Sequence, residues 1–431
     1  MLCVQTNDEA VPPRERAARE RPRRVVMKFG GSSVATLERL RGVAARVART
    51  RAEGWDVVVV VSAMGGTTDE LVAQARALSA APPAREMDVL LTSGEQASMA
   101  LCAMAVAEAG APAVSLTGAQ SGIVTTNVHT NARIIELRPF RVEDELERGN
   151  VVIVAGFQGA SYAGEITTLG RGGSDTTAVA LAAALDAERC DIFSDVDGVY
   201  SADPRVVDDA QRLERLAYEE MQELARQGAR VLNAQAVELA RRHQIAIYAR
   251  STFGGAAHTR VERADGAARA RLRELSAHGV TGVTGRKDLL RILCEGACCG
   301  GCAEDVLEAL SECDVLSSGI EPRRDRFDIV IATENLPDPA GFAARLEARF
   351  VEAGLVVRDG LGSASAVGLG VGDRPAALLE VLGVLRAASI EVVTSFTSRE
   401  AVTCLVPVGE VDRAVQLLHR ALLEVPAEAA A

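Results

Sequence analysis

The chain has 431 residues, 48% of them apolar and 25% charged, which suits two or three globular domains with a large core. Aromatics make up only 3% and the formal charge is −12, an acidic, ring-poor balance that argues against nucleic-acid binding. No apolar run approaches the roughly 20 residues of a membrane span, and the N-terminus lacks the apolar core of a signal peptide. Nine unevenly spaced cysteines read as free thiols of a reducing cytoplasm.

Taken in chain order, residues 1–24 read as a disordered tail, with Pro12, Pro13 and Pro22 among Arg and Glu. Val25–Phe29 is a short apolar run closed by two glycines. Helical spacing follows over 34–50, and five consecutive valines in 56–62 mark a buried parallel strand. Helices are expected over 71–79, 95–110, 176–186, 218–227 and 229–243. Strands are expected over 113–116, 151–155, 190–194 and 245–248. Such alternation predicts a mainly parallel sheet between helix layers, an α/β fold. Residues 256–277, rich in Ala, Arg and Gly, read as a linker. Beyond it come strand-like 289–293, helix-like 303–312, strand 327–332 and helix 340–353. A second β-α-β-β-α run then covers 366–370, 375–388, 391–396, 402–406 and 411–423, a ferredoxin-like rhythm.

Three glycine-bearing segments fall at expected strand ends, where such sheets bind ligands. In Lys28-Phe29-Gly30-Gly31-Ser32-Ser33 a strand delivers a cation, two glycines admit close backbone approach, and a following helix presents its N-terminus. Only two of the 47 basic residues are Lys, Lys28 and Lys287, which makes an incidental Lys28 a poor explanation. The second segment runs from Thr167 to Thr177 and packs Arg171, Ser174 and Asp175 into one polar loop before a helix; an Arg there can grip a carboxylate or phosphate bidentately. The third, Ser194-Asp195-Val196-Asp197-Gly198-Val199-Tyr200 with Asp203-Pro204-Arg205 beyond, could hold a nucleotide, although Val-Asp-Gly also makes ordinary turns. His129 reads as structural, as isolated histidines usually are. Cys294, Cys298, Cys299 and Cys302 crowd together, but a structural zinc site pairs two separated Cys-x2-Cys knuckles, so packing explains them better than a metal.

Together the three segments resemble the aspartate kinases (aspartokinases) of the amino-acid kinase superfamily. Val60-Val61-Ser62-Ala63-Met64-Gly65, Ser93-Gly94-Glu95-Gln96, Val128-His129-Thr130, Ala155-Gly156-Phe157-Gln158-Gly159 and Gly228-Ala229-Arg230-Val231-Leu232 match as well. The similarity runs from Val25 to about Thr252, and the region after 275 resembles that family's paired ACT domains. The resemblance implies an amino-acid kinase domain over 25–255, the linker, and two ferredoxin-like ACT domains over 278–431, about 278–355 and 356–431, with strands exchanged between them. It implies transfer of a phosphoryl group from MgATP to the β-carboxylate of L-aspartate, the first step toward lysine, threonine and methionine. Lys28, Gly30, Gly31 and Ser32 would hold the ATP phosphates, with Lys28 stabilising the transferring group. Arg171 would clamp the substrate α-carboxylate and Glu95 its α-amino group, while Ser62 and Thr68 line the aspartate pocket. Ser174 and Asp175 would organise the loop near the γ-phosphate and Mg²⁺. Ser194, Asp195, Tyr200, Arg205 and Arg230 would line the nucleotide side. The resemblance further implies a cytoplasmic homo-oligomer formed through ACT pairing, with lysine or threonine as an effector, and no dedicated all-protein metal site.

Two departures stand out. Many family members carry Gly-Ala-Lys-Val-Leu-His-Pro where this chain has Arg230, Asn233 and Ala234, and the first regulatory loop holds cysteines where a Pro-Gly turn is common. Two other readings therefore stay open: a kinase-like amino-acid sensor or regulatory subunit, and a paralogue that phosphorylates a different amino acid in specialised metabolism.

Overall fold

The computed structural model describes residues 23–170, 172–264, 279–295, 299–312, 317–322, 326–334, 336 and 338–423. Its first half is built on strands β1 (Arg24–Phe29), β2 (Asp56–Val61), β3 (Ala113–Leu116), β4 (Ile123–Thr125), β5 (Ile134–Leu137), β6 (Val151–Ala155), β7 (Gln158–Ser161), β8 (Ile166–Thr168) and β9 (Arg189–Ser194). It continues through β10 (Val199–Tyr200), β11 (Arg212–Leu213), β12 (Arg215–Ala217), β13 (Ile247–Ser251) and β14 (His258–Glu262). Helices α1 (Leu37–Ala52), α2 (Thr67–Leu78), α3 (Ala84–Glu108), α4 (Phe140–Glu147), α5 (Gly173–Ala184), α6 (Tyr218–Arg226) and α7 (Ala234–His243) are interleaved with them.

Eight strands form the main sheet in the order β12-β14-β13-β9-β1-β2-β6-β3, parallel except where β13 meets β14. The valine run shows why. Val58 and Val60 join one core with Ile192, Ile247 and residues of α5, α6 and α7; Val57, Val59 and Val61 join the other with residues of α1 and α3. Alternate side chains point to opposite faces, so a strand covered on both sides must be apolar throughout. A small four-stranded sheet, β5-β4-β7-β8, adjoins the first.

The second half is one six-stranded antiparallel sheet, β16-β17-β15-β18-β20-β19, made of β15 (Gly282–Glu295), β16 (Ser317–Pro322), β17 (Arg326–Ala332), β18 (Val356–Val367), β19 (Thr394–Thr397) and β20 (Ala401–Pro407). It carries helices Cys299–Glu312, Pro339–Arg349, Pro375–Ala387 and Val411–Leu423. β15 and β18 are long and serve two cores. Val283, Ala364 and Ala366 pack in one, Leu290 and Ile292 in the other. Residues 282–286 of β15 pair with 363–367 of β18, while 289–293 pair with 356–361. Both strands thus run through both units.

Several expectations change. Arg24 belongs to β1, not to the tail, because its backbone pairs with Asp56. Arg23 lies 3.9 Å over the Trp55 ring; residues 1–22 lie outside the described set. The stretch read as a linker from 256 contains β14, whose Thr259 and Val261 are buried in the main sheet; 265–278 lie outside the described residues. The strand expected at 289–293 extends back to 282, where Gly, Thr and charged residues hide the period; the one expected at 366–370 is the end of β18, which starts at Val356. Helix α3 starts at Ala84, after Pro83, rather than at Glu95, and its 25 residues are long and apolar enough to cross a membrane by length and composition. It packs instead against α1 and β6, with Met99, Cys102 and Val106 in the core.

Ile153, on β6 between β2 and β3, has no exposed surface and lies in the core beneath α1 and α3. Ile153→Ala should lower unfolding free energy by about 2–5 kcal/mol. A urea melt showing under about 0.5 kcal/mol, the scale of a surface change, would contradict this placement.

Candidate active site

Four parallel strands, β1, β2, β6 and β9, end at the same edge, so the loops after Phe29, Val61, Ala155 and Ser194 converge there. Carboxyl ends of parallel strands are where α/β sheets bind ligands. The loop after β1 hydrogen-bonds to its neighbours on either side. Gly30 N–H donates to Phe193 O at 3.2 Å, and Gly65 N–H donates to Gly31 O at 3.1 Å. A Cβ on Gly31 would lie 2.9 Å from Ala63 O, so only glycine fits that crossing. The helix expected over 34–50 is present but starts three residues later. A single 3-10 turn, Gly31–Val34, comes first, and α1 begins at Leu37 behind the Thr36 cap. The anion-binding character of this loop rests therefore on Lys28 and the turn's backbone, not on the α1 N-terminus.

Lys28 is nearly buried, and its Nζ lies 2.6 Å from Asp175 Oδ1 in the first turn of α5. A buried charge needs a partner or stays costly, and this pair ties the end of β1 to α5. Asp175 Oδ2 accepts from Asn233 N–H at 3.3 Å. Ser174, next in the same turn, is buried against the loop after β6: a Cβ on Gly156 would meet Ser174 Oγ at 2.7 Å. Lys28, Asp175 and Ser174 thus come together.

Glu95 forms the other wall. It sits mid-helix in α3, and Gly94 beside it lets that helix approach closely, a Cβ there standing 3.1 Å from Ala63 Cβ. Glu95 Oε1 accepts from Ala63 N–H at 3.2 Å, while its buried Oε2 has no hydrogen-bond partner. Burial pushes its carboxyl up to about 7, against the lowering effect of the Ala63 bond. An unpartnered buried carboxylate oxygen beside the Ser62 loop has the chemistry to accept from a ligand cation such as an ammonium. Ser62 and Thr68, on the loop and first turn of α2 that follow β2, are half-buried nearby in sequence.

The third segment lines the β9 side. Ser194 follows Phe193, whose carbonyl accepts from Gly30, and its own Oγ accepts from Val196 N–H at 3.3 Å. Asp195 is exposed. Tyr200 donates its hydroxyl proton to Asp197 at 2.8 Å. Ser32 is exposed at the turn, its carbonyl accepting from Arg39 at 2.8 Å. Arg205 pairs with Asp203, and Arg230 is exposed 3.9 Å from Asp288 of β15; neither is brought to Lys28 by a described contact. Arg171 lies outside the described residues.

Other groups gain explanations here. His129 Nδ1 is 2.7 Å from Asp88, a fully buried carboxylate that also accepts from Thr130 N–H and, at 2.6 Å, from the Thr168 hydroxyl. This cluster buttresses the loop that leads to Gly170, which supports a structural His129. Asp88 was not singled out by the sequence, since one Asp inside an apolar helix carries no motif. Cys294 packs in a core and contacts Ala353 O, as a small hydrophobe would; Cys298 and the side chains of Cys299 and Cys302 lie outside the described residues.

A family model described as the amino acid kinase family matches residues 23–251. The aspartokinase of Mycolicibacterium smegmatis is 41% identical over 408 residues, covering 92% of this chain and 95% of its own. That of Corynebacterium glutamicum is also 41% identical over 408 residues, with the same coverages of 92% and 95%. Among solved structures, E. coli aspartokinase III in complex with aspartate and ADP (R-state) superimposes with a TM-score of 0.79 at 25% identity, covering 93% of this chain and 100% of that one. Its complex with lysine and aspartate (T-state) gives 0.70, also at 25% identity, with coverages of 93% and 99%. The family match and the extent of these identities show that the chain belongs to the amino acid kinase family, among its aspartokinases.

Proposed function

We propose that this chain phosphorylates the β-carboxylate of L-aspartate with MgATP, giving 4-phospho-L-aspartate, the entry step toward lysine, threonine and methionine. The observation that carries the reading is the Lys28–Asp175 pair at the sheet edge, with a buried, half-satisfied Glu95 on the same edge. A carboxylate is already a competent nucleophile, so no general base is required, and catalysis reduces to positioning two anions and neutralising them. Lys28 supplies a fixed cation for the transferring group. The Gly30-Gly31 turn and Ser32 flank the phosphates. Glu95 takes the substrate ammonium, Ser62, Thr68 and Ser174 line the acceptor side, and Arg171, by the family motif, takes the α-carboxylate. Ser194, Asp195, Tyr200, Arg205 and Arg230 are assigned to the nucleotide side.

Mg²⁺ is normally held by substrate phosphates and one or two carboxylates. Asp175 is assigned that role, with Ser174 beside it, and the ion would add positive charge between the nucleotide and the acceptor. The six-stranded sheet is proposed to bind an amino-acid effector, lysine or threonine, and to pair with a second copy. Free, buried Cys102, Cys190 and Cys404 suit a reducing cytoplasm.

ADP release that depends on L-aspartate tests the reading, and Lys28→Ala should lower kcat by at least about 100-fold with an unchanged circular dichroism spectrum. Near-parental kcat in that variant would contradict the phosphate-side assignment. The pH dependence has a defined sign. Below about 7 Glu95 is neutral and offers the substrate ammonium nothing; above it the carboxylate attracts. KM for aspartate should therefore fall as pH rises toward about 7 and then level off, by up to about tenfold per unit. In Glu95→Gln KM should be high and flat, whereas a flat profile in the parent would remove Glu95 from the pocket. For regulation, lysine or threonine at millimolar concentration should raise the melting temperature, with no shift from either counting against the effector site.

A further inference from the structure

Helix α7 is capped in a way that reaches into the candidate active site. Asn233 is its N-cap: the side-chain Oδ1 accepts from Gln235 N–H at 2.9 Å and from Ala236 N–H at 3.1 Å. The cap's own N–H is usually met by a Glu or Gln three residues on. Here that residue is Ala236, which has no acceptor, and the N–H goes to Asp175 Oδ2 on α5 instead. The same side chain also floors the loop that precedes α5. Gly172 adopts φ +72°, and a Cβ on it would lie 2.3 Å from Asn233 Nδ2. Gly172 O in turn accepts from Asp175 N–H at 3.0 Å, so the turn that Asn233 supports also sets the start of α5.

We propose that Asn233 is a positioning residue for phosphoryl transfer. It aims the Asp175 carboxylate at Lys28 and holds the Gly172 turn, acting through these groups without touching substrate. This rests on the aspartate kinase reading above. Its effect belongs on the chemical step, since a slightly misplaced Lys28–Asp175 pair loses transition-state stabilisation more than ground-state binding.

The test compares Asn233→Ala with Asn233→Ser in the full chain. Serine keeps a capping oxygen and alanine does not. Asn233→Ala should lower kcat at least about tenfold with KM for ATP within about twofold, and Asn233→Ser should recover most of the loss. A kcat for Asn233→Ala within about twofold of the parent, a change in KM alone, or equal loss in both variants would overturn the proposal. Amide hydrogen exchange over 172–176 gives a readout independent of turnover: faster in Asn233→Ala than in Asn233→Ser is expected, and equal rates would overturn the positioning claim. An inactive parent would refute the kinase reading, with exchange still deciding the role of Asn233. Should Asn233→Ala fail to fold, Asn233→Asp replaces it. It caps equally well but sets a second carboxylate beside Asp175, so kcat should drop about tenfold below Asn233→Ser, and equal values would overturn the proposal.

Discussion

A nearly buried lysine at the end of a central strand must be neutralised, and Asp175 does this from the first turn of α5. Much of the local arrangement follows from that pairing. It requires α5 to begin beside β1, which requires the Gly172 turn. The carboxylate's other oxygen is held by Asn233, which brings in the start of α7. Two helices and one strand are thereby locked around a single charge pair. On the proposed assignment, the negative charge of a triphosphate would compete with Asp175 for Lys28. The pair holds the cation in place beforehand, and preorganisation of that kind is a main source of electrostatic catalysis.

The C-terminal sheet is fastened to the same side of the molecule by buried polar contacts. Thr281 donates its hydroxyl proton to Glu220 of α6, Ser365 donates to Gln227 at 3.1 Å, and Ser201 meets His419 at 2.9 Å. Burial raises the Glu220 carboxyl above its ordinary range, opposed by the Thr281 hydrogen bond. Arg286 of β15 donates to Arg226 O at 3.0 Å, and Gly228 packs on Gly285. Helix α6 is therefore gripped by the second half of the chain, and it leads directly into 228–233 and Asn233. The two halves share one element next to the candidate site.

Much of the fold was legible because the physics was local and repetitive. A run of five valines can be satisfied only between two covered faces, and both faces are covered. Lys28 stood out because this chain almost never uses lysine. Other features depend on contacts distant in sequence. The helix expected over 95–110 begins after Gly94, yet Gly94 is mid-helix, where α3 closely approaches Ala63. Residues 229–243 read as one helix, whereas Asn233 caps a shorter one, a signal hidden by the apolar residues before it. The strand β14 was masked by its Gly-rich approach and becomes a strand only by pairing with β12 and β13. Long β15 carries glycines and charges for reasons no period reveals: Gly285 lies against Val411 and Val415, and buried Arg286 and Arg291 pair with Glu334 and Asp328.

The central claim is that the sheet-edge site moves a phosphoryl group onto the side-chain carboxylate of an amino acid. Trapping the acyl phosphate with hydroxylamine measures this directly, with L-aspartate, L-glutamate and N-acetyl-L-glutamate run in parallel against ATP. The account predicts hydroxamate from L-aspartate alone. Hydroxamate from another acid in its place, or none from any acid with folded, ATP-binding protein, would contradict it.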